Sequence, residues 1–297
     1  SLCTRRTPNR CKAMMNSIQQ VLSQLEQPDQ HIPKVNIVGI DASELEETIS
    51  LFRSIVFSGY FDCRPLGETL TRFVAVIAGQ AARTYRMLPS CDAVSAEEFG
   101  SRVAENLLER IPELRRKLGT DVQAVFDNDP AAQDIEEVIL CYPALKAMLH
   151  YRLAHELLLL GVPVLPRMIT EAVHSQTGID IHPGAEIGDY FSIDHGTGVV
   201  IGETCIIGNN VRLYQGVTLG ARSFKFDPEG HLLREPRHPI LEDRVVVYSN
   251  SSVLGRIRIG HDSIIGGNVW QTTDLPPGSR VVQSRATVST FEHGAGI

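Results

Sequence analysis

Between Met14 and Ser175 apolar residues return every third or fourth position, as in Ile18, Val21, Leu22 and Leu25 or Phe99, Val103, Leu107 and Ile111. That period lays one side of an α-helix against a core, and it predicts a helical half. Ser95 with Glu98 predicts a capping box, in which each side chain satisfies a free N–H at a helix start. PALKAMLHYRLAHELLLLG, 143 to 161, reads as a long helix with a broad apolar face closed by Gly161. His150 and His155 within it read as ordinary helix residues rather than ligands.

After Gly178 the period becomes six: Ile181, Ile187 and Ile193, a two-residue slip, then Ile201, Ile207, Leu213 and Leu219, and later Val247, Val253, Ile259 and Ile265. No helix repeats at six. Glycine follows directly at Gly188, Gly202, Gly208, Gly220, Gly260 and Gly266, and hexapeptide arrays of this kind mark a parallel β-helix. Each six covers a short strand and a turn. The aliphatic points inward, and glycine or asparagine (Asn209, Asn210, Asn250, Asn268) takes the turn. Three sixes close one triangular coil, so about five coils fit between Ile181 and Trp270. The expected architecture is α+β: a helical domain at 14–177, then a left-handed parallel β-helix at 178–275, with a tail at 276–297. RSFKFDPEGHLLREPR, 222 to 237, has no six-residue register and is expected to be a loop extruded from a coil.

Composition narrows the class. Acidic residues outnumber basic ones, 35 to 28, so no phosphate-tracking surface and no nucleic-acid partner is expected. The longest uncharged apolar run, Leu157 to Pro166, is far short of the roughly 20 residues that cross a bilayer, so no membrane partner is expected either. The cysteines at 3, 11, 63, 91, 141 and 205 form no C-x-x-C, which suits thiols in a reducing, cytoplasmic setting. Residues 1–13 are basic and lack the apolar stretch of a secretory signal; they read as a disordered leader, although a transit peptide has a similar look.

A coil by itself is a scaffold, so the chemistry must lie in polar residues set upon it. Of the array histidines, His231 and His261 read as solvated turn residues. His195 differs, with Asp194 beside it and Asp180 fifteen residues earlier, close to one coil of about eighteen. Stacking would bring Asp180 near His195. A carboxylate on one imidazole nitrogen fixes the tautomer and frees the other to act as general base. A solvated turn histidine remains the plain alternative.

IDIHPGAEIG, IDHGTGVVIGET, YQGVTLGA, RHPIL and IGGNVW, behind a helical half containing DNDPAA, resemble the serine O-acetyltransferases, which acetylate serine from acetyl-CoA on the route to cysteine. The resemblance implies His195 as the base, Asp180 as its orienting carboxylate, and His238 as hydrogen-bond donor to the substrate or the oxyanion. It implies Asp129 and Asp194 on the serine ammonium, Arg237 on its carboxylate, and backbone at Ala221, Ser249 and Gly267 along the pantetheine arm. It also implies a homotrimer or a dimer of trimers, feedback by L-cysteine, and docking of the terminal Ile297 into O-acetylserine sulfhydrylase. No metal is expected. The sequence departs from the family at a longer loop before Arg237, at Tyr248-Ser249-Asn250-Ser251 in place of GAGA, and at Ile264 in place of a lysine, which leaves Arg256 or Arg258 to hold the CoA nucleotide. Another acceptor, homoserine or a sugar amine, is the alternative within the fold. A zinc hydratase like the γ-type carbonic anhydrases is disfavoured, since its close H-x4-H pair is absent.

Overall fold

A computed structural model describes residues 8–27, 31, 42–88 and 91–284. Helix α1 (Pro8–Leu25) belongs to a first compact unit that ends at Gly39, and it exposes the apolar side chains of Met14, Ile18, Val21 and Leu22. A second unit begins at Ile40 and holds α2 (Ala42–Val56), α3 (Leu66–Tyr85), α4 (Ala93–Asn128), α5 (Ile135–Cys141), α6 (Pro143–Leu159) and α7 (Leu165–Thr177), followed by the strands. The 3.6-residue pattern is realised: Phe99, Val103, Leu107 and Ile111 are all buried along α4. Where α4 meets α3, a Cβ on Gly100 would overlap the Ala78 carbonyl, so the crossing is close because that residue is glycine.

The expected capping box does not form. Asp92 caps α4 instead, its Oδ1 accepting the Ser95 N–H at 2.8 Å and its Oδ2 the Ser95 hydroxyl at 2.7 Å. With an aspartate three residues earlier, Ser95 lies inside the first turn and acts as donor rather than cap. The long helix at 143 to 161 is α6, and Gly161 follows its end at φ +79°.

From Asp180 the chain winds a triangular parallel β-helix. The first coil is β1 (Asp180–Ile181), β2 (Glu186–Ile187) and β3 (Ser192–Asp194); the second is β4 (Val200–Ile201), β5 (Ile206–Ile207) and β6 (Arg212–Tyr214). The third is β7 (Thr218–Gly220), β8 (Ile240–Leu241) and β9 (Val246–Val247); the fourth is β10 (Ser252–Leu254), β11 (Arg258–Ile259) and β12 (Ile264–Ile265). Strands β13 (Trp270–Gln271) and β14 (Arg280–Val281) finish the stack. The first face orders β1-β4-β7-β10-β13, the second β11-β8-β5-β2, and the third β14-β12-β9-β6-β3.

Register explains the period. Ile181 pairs with Ile201, Leu219 and Val253 up the first face, Ile187 with Ile207, Leu241 and Ile259 up the second, and Ile193 with Leu213, Val247 and Ile265 up the third. Each ladder is buried, and each such side chain contributes about 1.5–3 kcal/mol of transfer free energy. The segment 222–237 leaves the stack between β7 and β8. It is a small hairpin rather than an unstructured loop: Phe226 bridges Leu232 antiparallel, and Leu233 N–H reaches the Lys225 carbonyl at 2.9 Å.

The helices are fixed to the first coil by buried polar contacts. Arg152 of α6 and Asp121 of α4, 4% and 0% exposed, form a two-pronged ion pair with Nε–Oδ2 at 2.5 Å and the second prong at 2.8 Å. The same guanidinium donates to the Gly188 carbonyl at 2.8 Å, and the Phe191 N–H donates to Asp121 at 3.2 Å. Tyr151 donates to the Ala185 carbonyl at 2.6 Å. Breaking a buried pair on one side leaves an uncompensated charge, so Asp121→Asn should cost about 3–5 kcal/mol in chemical unfolding. Arg152→Met added to it should cost far less than its own single effect, and additive costs would show that the pair is not coupled.

Candidate active site

The candidate residues fall on two edges of the prism. Asp194 ends β3 on the third face, and His195 follows at the turn onto the first face. This corner holds the two-residue slip, with His195 itself left-handed at φ +56° before Gly196 at +94° and Gly198 at +81°. A non-glycine residue there is held against its preference, at about 1–3 kcal/mol. The corner turns the imidazole outward: its side chain is 72% exposed, and Nδ1 lies 3.8 Å from Asp194 Oδ1. A cavity of about 350 Å³ opens beside it, lined by Asp129, Tyr142, Pro143, Asp194 and His195. The structure thus joins Asp129, Asp194 and His195, which lie far apart in sequence, by laying the end of α4 over the first coil.

Asp129 is the C-cap of α4 and is gripped at both oxygens. Oδ1 accepts the Ala131 N–H at 2.8 Å and Oδ2 the Tyr142 hydroxyl at 2.5 Å. The Tyr142 hydrogen bond chiefly, helped by the Ala131 N–H and the nearby His195, holds the Asp129 carboxyl below its usual range. The same bond pushes the Tyr142 phenol up to about 12. The carboxylate is therefore ionised and aimed into the cavity as an acceptor for a cation. Sequence reasoning missed Tyr142, because its partner lies thirteen residues away around α5.

Asp180 does not meet His195. The slip lengthens the first coil, so Asp180 pairs with Val200. The corner is adjacent, since a Cβ on Gly196 would press on Ile179, but the Asp180 carboxylate faces Arg167 at 3.9 Å. Glu171, His174 and Asp180 offer ligand atoms within 4.8 Å of one another, and Arg167 already supplies the cation among them.

The second edge lies where the chain returns from the hairpin, between the first and second faces. His238 is buried there, and its ring lies so close over Gly202 that a Cβ at that glycine would overlap it. Nδ1 accepts the Thr204 N–H at 3.1 Å and the Thr204 hydroxyl at 2.9 Å. That hydroxyl in turn accepts the N–H groups of Arg237 at 2.9 Å and His238 at 3.1 Å, so its own hydrogen is free for Nδ1. A backbone N–H can only donate, hence Nδ1 is bare and the neutral ring carries its proton on Nε2. Burial, reinforced by the Arg237 guanidinium, pushes the imidazole down to about 4. Arg237 itself donates to Glu203 at 2.6 Å. Burial raises the Glu203 carboxyl, but the hydrogen bond and charge of Arg237 outweigh it and hold the group below its usual range. Glu203 also escaped sequence reasoning, its partner being thirty-four residues away beyond the hairpin.

The residues expected along the pantetheine arm divide between the same edges. Ser249 and Gly267 follow β9 and β12 at the His195 edge, where Gly267 lies against the Ser249 carbonyl, while Ala221 follows β7 at the His238 edge. Neither arginine expected to hold the nucleotide is free: Arg256 donates to the Thr204 and His238 carbonyls at 2.6 and 3.0 Å, and Arg258 to Glu242 at 2.9 Å. Ile297 lies outside the described residues.

No family model matches the chain. It is 46% identical over 239 residues to a plasmid serine acetyltransferase of Synechococcus elongatus, covering 78% of this chain and 75% of that protein. It is 45% identical over 173 residues to a serine acetyltransferase of Helicobacter pylori, covering 58% of this chain and 96% of that one. Among solved structures it resembles native serine acetyltransferase 1 of Entamoeba histolytica at 34% identity and a TM-score of 0.71, over 91% of this chain and 100% of the other. Isoform 3 from the same organism, in complex with cysteine, aligns at 31% identity and 0.71 over 92% and 93%.

His238 sets a pH signature. Its folded value of about 4 lies below the ordinary 6.5, so as pH falls through 6.5 the unfolded chain takes up a proton that the native ring refuses. This contribution to stability is present above pH 6.5, is lost on the way down to about 4, and should be smaller in His238→Gln. Nitrogen-resolved NMR should show an Nε2–H tautomer at pH 6, and a cationic ring there would contradict the assignment.

Proposed function

The chain belongs to the serine acetyltransferase family, and we propose that its active site closes between neighbouring copies, the His195 edge of one meeting the His238 edge of the next. Its reaction moves an acetyl group from acetyl-CoA to the hydroxyl of serine, on the route to cysteine. The observation that carries the assembly is the division of the site. Asp129, Asp194 and His195 share one cavity, whereas Arg237 and His238 stand at another corner with the first face between them. A three-fold arrangement of prisms brings unlike edges together and completes each site once.

In the joined site Asp129 and Asp194 receive the serine ammonium, and Arg237, steadied by Glu203, receives the carboxylate. His195 removes the hydroxyl proton as the oxygen attacks the thioester carbonyl. The Nε2–H of His238 donates to the resulting oxyanion. Collapse expels the thiolate of CoA, which takes the proton from the His195 imidazolium and leaves as the thiol. Asp180 stands beside this corner, and its role as orienting carboxylate requires it to leave Arg167 and meet the imidazole. Backbone at Ser249 and Gly267 of one copy and at Ala221 of the next lines the path for the pantetheine arm. Cysteine shares the ammonium and carboxylate of serine, so the same clamp accepts it as a competitive inhibitor, in keeping with the relatives crystallised with cysteine. The absence of any membrane-spanning helix among the described residues fits the cytoplasmic reading. Ile297 is the proposed contact with O-acetylserine sulfhydrylase, and its deletion should abolish that binding in calorimetry without altering acetyl transfer.

His195→Ala should lower kcat by about two to four orders of magnitude. Refolding equal amounts of His195→Ala and His238→Ala chains together should restore about a quarter of wild-type turnover, the share of sites that draw both intact edges. Activity no higher than either variant alone would mean that the site lies within one chain.

A further inference from the structure

A second, roomier cavity than the one beside His195 lies away from both edges. It measures about 710 Å³ and is enclosed by α2, α5, α6 and α7. Its walls mix apolar side chains, Leu45, Ile49, Phe57, Phe61 and Leu149 among them, with polar ones such as Ser50 and Gln176. Two cations line this hollow, the part-buried Arg53 and the exposed Lys146. Arg53 lies with its guanidinium carbon 4.1 Å from the Phe61 ring centre, and its Nε is buried without a hydrogen-bond partner. Neither Arg53 nor the wall residue Lys146 has a salt bridge among the described residues. The charged lining is two cations and the exposed Glu46, a net +1 in a chain of net −7.

His150 adds direction. It is buried, and its Nδ1 lies 2.7 Å from the Lys146 carbonyl, which can only accept; Nδ1 therefore carries the proton and Nε2 is bare. Burial chiefly holds this imidazole down at about 4, so it stays neutral and offers the cavity an acceptor, not a third cation. A ligand that suits these groups has one negative charge for Arg53 and Lys146, a hydrogen-bond donor for His150 and an apolar body for the walls. A phosphate dianion suits them less, because its dehydration in an apolar pocket is costlier and Glu46 repels it more.

The cavity shares a wall with the serine site. Cys141, Tyr142 and Pro143 line both hollows, and the hydroxyl of Tyr142 is the group that grips Asp129. We propose that this cavity is a second ligand site, for a small hydroxycarboxylate with an apolar body, and that its occupancy reaches the serine site through Tyr142. A ligand pressed against the Tyr142 wall shifts the phenol and with it the carboxylate that receives the serine ammonium. The coupling half rests on the assignment of Asp129 given above; the binding half does not.

Calorimetry on the full chain with 3-phenyllactate tests the site, since this probe has the carboxylate, hydroxyl and ring but lacks the ammonium required by the serine clamp. One molecule should bind per chain, and 3-phenyllactamide, which lacks the charge, should bind at least about tenfold more weakly. Arg53→Gln should weaken 3-phenyllactate by at least about tenfold while melting temperature and acetyl transfer stay as in the wild type. No binding up to 10 mM probe, equal affinity for acid and amide, or an unaffected Arg53→Gln would each overturn the site. For the coupling, saturating 3-phenyllactate should change serine affinity by about fivefold or more in the wild type, and 3-phenyllactate affinity should change by the same factor when serine is saturating. In Tyr142→Phe the probe should still bind and that factor should fall towards one; a factor of one in the wild type would overturn the coupling. Because binding heat is read without turnover, loss of the site and loss of the acetyl-transfer reading give different results.

Discussion

One buried ion pair determines where the chemistry can be. Asp121 and Arg152 come from different helices, yet the guanidinium also takes the Gly188 carbonyl and the carboxylate takes the Phe191 N–H, both on the first coil. Desolvating two charges is expensive, and only full satisfaction of their hydrogen bonds makes the arrangement tolerable. That requirement is geometric. It leaves α4 and α6 one way to sit upon the β-helix, and α4 ends seven residues after Asp121, which sets Asp129 over the His195 corner. Tyr151, next to Arg152, and His155, one turn on, repeat the attachment to the carbonyls of Ala185 and Pro183. Helices α4 and α6 are therefore held in one position across the first coil.

The coil supplies the other constraint. Stacked aliphatics fix the register of every strand, so an irregularity anywhere must be absorbed at a corner. Two occur. The slip between Ile193 and Ile201 produces the left-handed His195, and the hairpin between Leu219 and Leu241 delivers Arg237 and His238 to the next edge. Both interruptions of a monotonous scaffold thus carry ionisable side chains. Elsewhere in the β-helix the non-glycine positive-φ corners are mostly asparagine and aspartate, Asn210, Asn250, Asp262 and Asn268, for which that conformation costs little.

Legibility in the sequence follows the range of the interactions. The hexad ladder was readable because each inward aliphatic repeats a local rule, and the helical half because its period is equally local. The spatial relation of Asp180 to His195 was misjudged because an eighteen-residue coil was applied to the one coil that the slip makes longer. The cap of α4 lies one turn earlier than expected, since Asp92 takes the Ser95 N–H and so begins the helix before Ser95. Tyr142 and Glu203 were invisible for a different reason: their partners are brought to them by α5 and by the hairpin, and no spacing encodes that. The aspartates and the arginine were legible only through the family resemblance. As bare residues Asp129 and Arg237 look like a helix-start acid and a solvated loop charge.

The environments of the two histidines support the tasks proposed for them, on grounds separate from any relative. His195 stands outward from its corner, and its close neighbours are carboxylates, so a proton taken up there meets negative charge and solvent. His238 is buried, its Nδ1 is filled by two donors from Thr204, and its neighbours Arg237 and Arg256 are cations. Taking a second proton would require it to break the Thr204 contacts and to add a positive charge beside two arginines, of which Glu203 answers only Arg237. A base must change protonation during the reaction, whereas an oxyanion donor must not. The exposed ring beside acids meets the first requirement, and the pinned ring beside arginines meets the second. Exchanging the roles would demand a neutral acceptor where the fold provides a donor, so the proposed division of labour rests on one backbone N–H, that of Thr204, pointing at one ring nitrogen.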